Sequence, residues 1–481
     1  MVSPYAREER VEAHRVKYFE ASKAPAEGLG VLALFQLIEE AVPAFFRADR
    51  QICINRAPGR LDVMGGFADT SGSLVLQLPT AEAACAAAQL RDDDLMRLWS
   101  PCGDGSRTQL LSMRLSDLGL PGHAIDLSEA RALFGADARD RWAGYLLGGV
   151  LVLARERGLQ PHQGFDLLVH SDVPEGIGVG SSSAVAVAAM CALADAYGLA
   201  LSGRELALSC QLVETAVVGR PAGAKDPMTA ACAQPDQLLA LRCQPCELEG
   251  SIAVPEALEI VGLDSGAISV LANDQGFVRV GAGLGARMVS GDPAWSGHLA
   301  DFPLGTFRAR WQSALPETIT GAQFLAQHGA HADPSLHVDP LRTYAVRAPT
   351  LHAIEESARV DQFAQLLQQE PTAERRVQLG ELMRASHEAQ VACGLGNPTM
   401  DFLVAQARER MAASGHIVGA KGTGNGGTLV LLGERGKVWY EALRIKKALL
   451  QQTGYSGHIF RWSSPGALTY GSIALTPIDA S

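Results

Sequence analysis

Nowhere in the chain do eighteen apolar residues run uninterrupted, so the sequence holds no candidate for a membrane-spanning helix. The first twenty residues, MVSPYAREERVEAHRVKYFE, lack the apolar core of a secretory leader, and a cytoplasmic location is the expectation. Basic residues are in deficit: 41 Lys and Arg face 52 Asp and Glu, a net charge of -11. A general nucleic-acid binder or anionic-membrane binder neutralises phosphates with clustered cations, and this balance argues against both. It leaves room for a small phosphate ligand, which backbone N–H groups and a metal ion can hold locally. The nine cysteines are odd in number and scattered, so no disulfide framework is implied. Cys243 and Cys246 have redox or zinc spacing, but no second pair or His pair accompanies them. There is no internal repeat and no low-complexity tract. No G-x-x-x-x-G-K-[ST] occurs, which excludes a Walker-type loop.

What is present is a folded chain: 47% hydrophobic and 19% charged over 481 residues. That length exceeds what one core usually serves, and two domains are expected, 1–255 and 256–481. Strand-like and helical runs alternate in the first half, which favours an α/β or α+β layer architecture. QICINR (51–56) and SLVLQL (73–78) read as strands flanking the turn-rich APGRLDVMGGFADTSG, and GFDLLVHSDVP (164–174) as a strand. Helices are expected over 142–158, 182–197 and 203–218. Beyond 255, EIVGLDSG and AISVLAN read as strands, followed by a long irregular stretch to about 340. Helices return at 351–369, 374–391 and 398–413, the last with Asn397 as N-cap and Pro398 in its first turn. A strand at 427–432, the helix KVWYEALRIKKALLQQTG and a strand near HIFRW complete the chain. One layer of strands and one of helices would suit this half.

The central chemical signal is the run Pro174, Glu175, Gly176, Ile177, Gly178, Val179, Gly180, Ser181, Ser182, Ser183. Glycines at alternate positions let backbone approach an anion, and the following helix offers free N–H groups and the positive end of its dipole. Ser181, Ser182 and Ser183 can cap that helix, bind phosphate oxygens or reach a magnesium ion. The same run also reads as a tight turn with a serine cap. A dinucleotide fingerprint is disfavoured, because Ser181 stands where a third glycine is usual and Asp195 falls within the helix.

Three segments together, RAPGRLDVMGGFADTSGS (56–73), PEGIGVGSSSA (174–184) and AKGTGNGGT (420–428), resemble the three motifs of the GHMP kinases in order and separation. That resemblance implies an α+β fold of two domains, an N-terminal ATP-binding one and a C-terminal ferredoxin-like one. Within the superfamily APGRLDVMGG, CQP (243–245), RTYAVRAPT (342–350), CGLG (393–396) and SSPGA (463–467) are similar to the arabinokinase branch more than to galactokinase proper.

The resemblance further implies ATP and Mg2+, with a small sugar as acceptor and sugar 1-kinase activity on an L-arabinose-like, galactose-like or uronic acid substrate. A silent sugar- and ATP-binding regulator on the same fold is the alternative. A monomer or homodimer is expected, with no nucleic-acid or membrane partner.

By the same resemblance, Asp226 orients or deprotonates the sugar's anomeric hydroxyl and Arg60 lies opposite it. Ser182 and Glu214, the latter twelve residues before Asp226, hold the metal. Pro174, Gly176, Gly178, Gly180, Ser181 and Ser183 line the nucleotide. Asp69 holds sugar hydroxyls, and Asp62, Gly223, Lys225 and Gln275 join it around the acceptor. The glycines Gly422 to Gly427 buttress the phosphate loop. Around the acceptor this sequence departs from the family: Gly66, Phe67 and Ala68 precede Asp69 in place of a more polar stretch. Lys225 and Pro227 flank Asp226, and Gln275 stands where a sugar-contacting Tyr is usual. Lys225 is expected either to pair with Asp226 or to meet an anionic acceptor.

Overall fold

The two strands read around the first motif are the ends of far longer ones. In a computed structural model that describes residues 15–23, 30–42, 44–101, 107–220, 222–267, 271–329, 331, 337–423 and 427–478, β1 runs over Ile52–Met64 and β2 over Leu74–Leu90. APGRLDVM is therefore strand, and only 65–73 turns the chain. Pro58 and Gly59 argued against this in the sequence, but a register irregularity between Pro58 and Arg60 accommodates them. β1 and β2 form the centre of a ten-stranded, mostly antiparallel sheet. The far half of β2 pairs with β3, Phe165–Ser171, and its near half with Gln237–Arg242.

Helices cover both faces of this sheet. α1 (Val31–Ala41) packs on one side against Ile52, Ile54, Cys85, Ala87 and Leu168. On the other side lie α2 (Gly144–Arg157) and α3 (Ser181–Ala196). Burial on both faces explains why alternation fails in β2, where Ala83, Ala84, Ala86, Ala87 and Ala88 are all inaccessible. Those alanines also let α3, itself alanine-rich, approach closely. After a capped helix at Gly203–Leu212 the chain widens into a single π turn, Val213–Val218, so the helix expected over 203–218 changes pitch midway. α4 (Lys225–Cys232) follows.

The chain then leaves this sheet for a second one of four strands. There β4 (Leu258–Asp264) lies between β6 (Thr428–Glu434) and Ile459–Phe460, and β5 (Ile417–Gly422) flanks β6. Its strands are buried along most of their length, without alternation, because both faces are covered. Val261, Leu263, Leu429 and Leu431 meet the helices Pro398–Ser414 and Val438–Thr453, while Ile260, Val430 and Leu432 join the core of the first half. One layer of helices is thus not enough for this half. The last strand, Ile473–Pro477, crosses back to pair with β1.

Two further expectations give way here. Of AISVLAN, residues 268–270 lie outside the described residues, and Leu271 opens a helix, α5 (Leu271–Val289). Its glycines made it look irregular, and packing explains them. A Cβ on Gly281 would fall 2.0 Å from the Ala345 carbonyl, and one on Gly285 1.8 Å from Thr350 Oγ1. Only glycine lets α5 lie this close to α6 (Arg347–Leu367) and the short strand before it. Asn397 does cap the helix it opens, accepting from the Met400 N–H at 2.8 Å. Among the described residues no helix is long and apolar enough to cross a membrane.

Candidate active site

The phosphate-loop residues sit between β3 and α3, and the loop owes its shape to its glycines. Gly176, Gly178 and Gly180 all have φ between 74° and 79°, a left-handed conformation that other residues adopt only under strain. Pro174 precedes the turn, half-buried. Gly180 is the N-cap of α3 and supplies no side chain, so the first amides of a sixteen-residue helix carry no side-chain cap. Such an end is ready to meet an anion. Ser181 and Ser182 occupy the first turn half-buried, and Ser183 faces the core. The second half of the chain meets the loop from behind: Thr428 Oγ1 donates to the Ile177 carbonyl at 3.2 Å, and a Cβ on Gly427 would fall 2.1 Å from the same oxygen. Gly424, Asn425 and Gly426, the middle of the third motif, lie outside the described residues.

Arg60 joins this loop to α4. Its Nε and Nη2 donate to the two oxygens of Asp226 at 2.7 and 2.6 Å, and its Nη1 donates to the Gly178 carbonyl. Burial works to raise the Asp226 carboxyl, but the bidentate guanidinium outweighs it, and the group lies below the usual carboxylate range. Ser182 Oγ donates to Glu214 Oε1 at 3.2 Å, the carboxylate being placed by the π turn. Burial, and then the neighbouring charge of Asp226, push Glu214 up to about 7. Among the described residues no cation forms an ion pair with Glu214, and no group of three or more His, Cys, Asp or Glu side chains could hold a metal by itself.

On the other side of α4 the charges are paired tightly. Lys225 Nζ bonds Asp62 at 3.2 Å, lies 3.7 Å from Asp69 and donates to the Gly66 carbonyl. Burial works against its charge, yet Asp62, Asp69 and Asp226 together hold its pKa above the ordinary value. Asp62 also accepts from Gln77 at 3.2 Å, and although burial opposes ionisation, Lys225 and the buried Lys421 hold it down at about 2. The pairing expected between Lys225 and Asp226 is replaced by these contacts, because Arg60 already occupies both Asp226 oxygens. Asp69 is inaccessible and is bound by Arg279 Nη2 at 2.8 and 3.1 Å. A Cβ on Gly223 would lie 2.6 Å from Asp69 Oδ2, so glycine there leaves room for the acid. Gln275 falls in the first turns of α5, and its side chain lies outside the described residues.

The structure therefore brings together Arg60, Gly178, Asp226, Ser182 and Glu214 on one side, and Asp62, Asp69, Gly223 and Lys225 on the other. It adds Arg279, which the sequence reading missed. The available signal was its position one helical turn after Gln275, legible only once α5 is seen as a helix. Cys243 and Cys246 are buried free thiols in a small apolar cluster.

Comparison with known proteins accords with this geometry. Residues 144–234 match the family of GHMP kinases N terminal domains. L-arabinokinase of Arabidopsis thaliana is 35% identical over 91% of this chain and 48% of its own length. Galactokinase of Streptomyces coelicolor is 34% identical over 38% of this chain and 42% of its own. The chain thus spans about half the length of these curated relatives. Among solved structures, Lactococcus lactis galactokinase superposes with a TM-score of 0.69 at 18% identity, covering 93% of this chain and all of its own. Methanococcus jannaschii mevalonate kinase gives 0.52 at 15% identity, covering 85% and 97%. Those two likenesses define an α+β kinase fold. The chain therefore carries a GHMP kinase N-terminal domain over 144–234 and is related in sequence to L-arabinokinase.

Proposed function

We propose that this protein is an ATP-dependent sugar kinase that phosphorylates the anomeric hydroxyl of an L-arabinose-like, galactose-like or uronic acid monosaccharide. The observation that carries the reading is the Arg60 guanidinium, which grips Asp226 and the Gly178 carbonyl at once and so sets an ionised acid against the phosphate loop. The names of the Arabidopsis and Streptomyces relatives support a monosaccharide acceptor. Gly176 to Ser183 would hold the nucleotide phosphates with backbone amides and hydroxyls. Glu214 and Ser182 fit Mg2+: a carboxylate raised toward neutrality with no cation paired to it among the described residues, beside a hydroxyl, makes a partial oxygen set that phosphate oxygens and water complete. When bound, the ion would screen phosphate charge.

A carboxylate held below its usual range is a weak base, so Asp226 first orients the acceptor hydroxyl. The proton passes to it only as the bond to phosphorus forms. Arg60 balances charge on the group in transit. The test is ADP release coupled to a panel of L-arabinose, D-galactose, D-galacturonate, D-glucuronate and amino sugars. Turnover on at least one member is expected. ATP binding without turnover on any of them would favour a silent sugar- and ATP-binding regulator instead.

A further inference from the structure

A cavity of about 560 Å3 is lined by Arg279, the ion-pair partner of Asp69, and by Thr70. One wall is a stripe of α5: Arg279, Gly283, Ala286, Arg287 and Ser290 fall on a single helical face and all line it. The two small residues between the arginines leave the space open instead of filling it. Trp295, His298 and His331 also line it, as does Thr70, the neighbour of Asp69. Among the described lining residues there is no carboxylate. Arg287 is exposed and its guanidinium has no hydrogen-bond or ion-pair partner among the described residues, its carbonyl alone accepting from Ser290 Oγ, and Arg279 Nε is buried with none, its Nη2 being taken by Asp69. Two cations, two histidines and a tryptophan around a cavity of this size form a setting for a polar ring that carries negative charge.

We propose that this cavity is an anion subsite of the acceptor pocket and takes the carboxylate or phosphate of a sugar-sized ligand, with Arg287 as its principal contact and Arg279 as its link to Asp69. The proposal rests on the sugar-kinase reading for the word acceptor but not for the site itself. It also relocates the anionic specificity expected of Lys225, whose charge is consumed by Asp62 and Asp69. An anion that draws on Arg279 would loosen its hold on Asp69 and free that acid for a sugar hydroxyl.

The test uses the full chain and compares D-galacturonate, D-galactose and inorganic phosphate by calorimetry and by coupled ADP release, in the wild type, Arg287→Gln and Ser290→Glu. The expected result is that D-galacturonate binds at least about tenfold more tightly than D-galactose, with the preference weakened by salt and lost in both variants. If D-galacturonate is itself phosphorylated and the variants raise its KM relative to that of D-galactose, the anion belongs to the acceptor. If D-galacturonate or phosphate binds without being phosphorylated and shifts the KM of a neutral sugar, the anion is a separate ligand. Equal binding of charged and neutral sugars with no binding of phosphate, or a preference untouched by both substitutions, would overturn the proposal. Anion binding with no sugar turnover at all would remove the kinase reading and leave the subsite, whereas turnover on neutral sugars without anion preference would do the reverse.

Discussion

The two sides of α4 are built on opposite principles. Toward the nucleotide, the structure leaves groups unspent: a helix end without a side-chain cap, a loop whose glycines expose backbone, and a Glu214 carboxyl raised to about 7 beside Ser182. Toward the acceptor, every carboxylate is already matched, Asp62 by Lys225 and Asp69 by Arg279 and Lys225. A ligand that brings its own negative charge and a metal finds donors waiting on the first side. A neutral sugar must compete with existing ion pairs on the second. If the proposed function holds, selectivity is concentrated in the acceptor half, while the nucleotide half is generic.

Substitutions can break this contrast in turn. Asp226→Asn stands between the halves and should have the largest effect, a fall in turnover of about 10²- to 10⁴-fold with ATP binding retained, read by steady-state kinetics and calorimetry. Gly178→Val forces a β-branched residue to positive φ and should weaken ATP binding by about tenfold to a hundredfold while sugar binding holds. Glu214→Gln should raise the Mg2+ requirement about tenfold.

The same variant tests the pH behaviour. Protons compete with metal at Glu214, so wild-type Mg2+ affinity should weaken as pH falls through about 7, and the Gln variant should lose that dependence. Without metal the sign for stability is opposite. The folded state keeps a proton that the unfolded chain has released between the ordinary glutamate pKa and about 7, so wild-type stability should decline as pH rises through that window. Thermal melts of the two proteins at a series of pH values check this.

Arg279→Met should change the acceptor KM severalfold and leave the ATP KM alone; equal shifts in both would erase the division between the halves. The smallest effect concerns the scaffold: Gly285→Ala should destabilise by about 1–3 kcal/mol through crowding at Thr350, measured by urea unfolding.

The shape of the loop was legible in the sequence because it is local, whereas Arg60, Glu214 and Asp226 were named only through the family resemblance. Gly176 to Ser183 is one contiguous run, and the left-handed conformations that it needs are written as glycines. Asp62, Asp69 and Lys225 were likewise named through the resemblance, but their pairings and Arg279 were not, because ion pairs that join β1, the turn after it, α4 and α5 leave no periodic trace. The same reason separates the strands from the helix that was missed. β3 declares itself by a short apolar run, whereas α5 spends glycines on close packing against α6, and that need exists only in the folded molecule. The return of Ile473–Pro477 to pair with β1 is likewise a long-range event that no local pattern announces.

On the proposed function, Asp226, gripped by Arg60 against the phosphate loop, directs a sugar hydroxyl onto the terminal phosphate of ATP. Single-turnover transfer from γ-labelled ATP, with the product's phosphate position read by NMR, tests it in the wild type and in Asp226→Asn. Label is expected on the anomeric oxygen of a monosaccharide in the wild type, with at least about a hundredfold slower transfer in the variant. Label on another hydroxyl, or transfer by the variant at the wild-type rate, would contradict it.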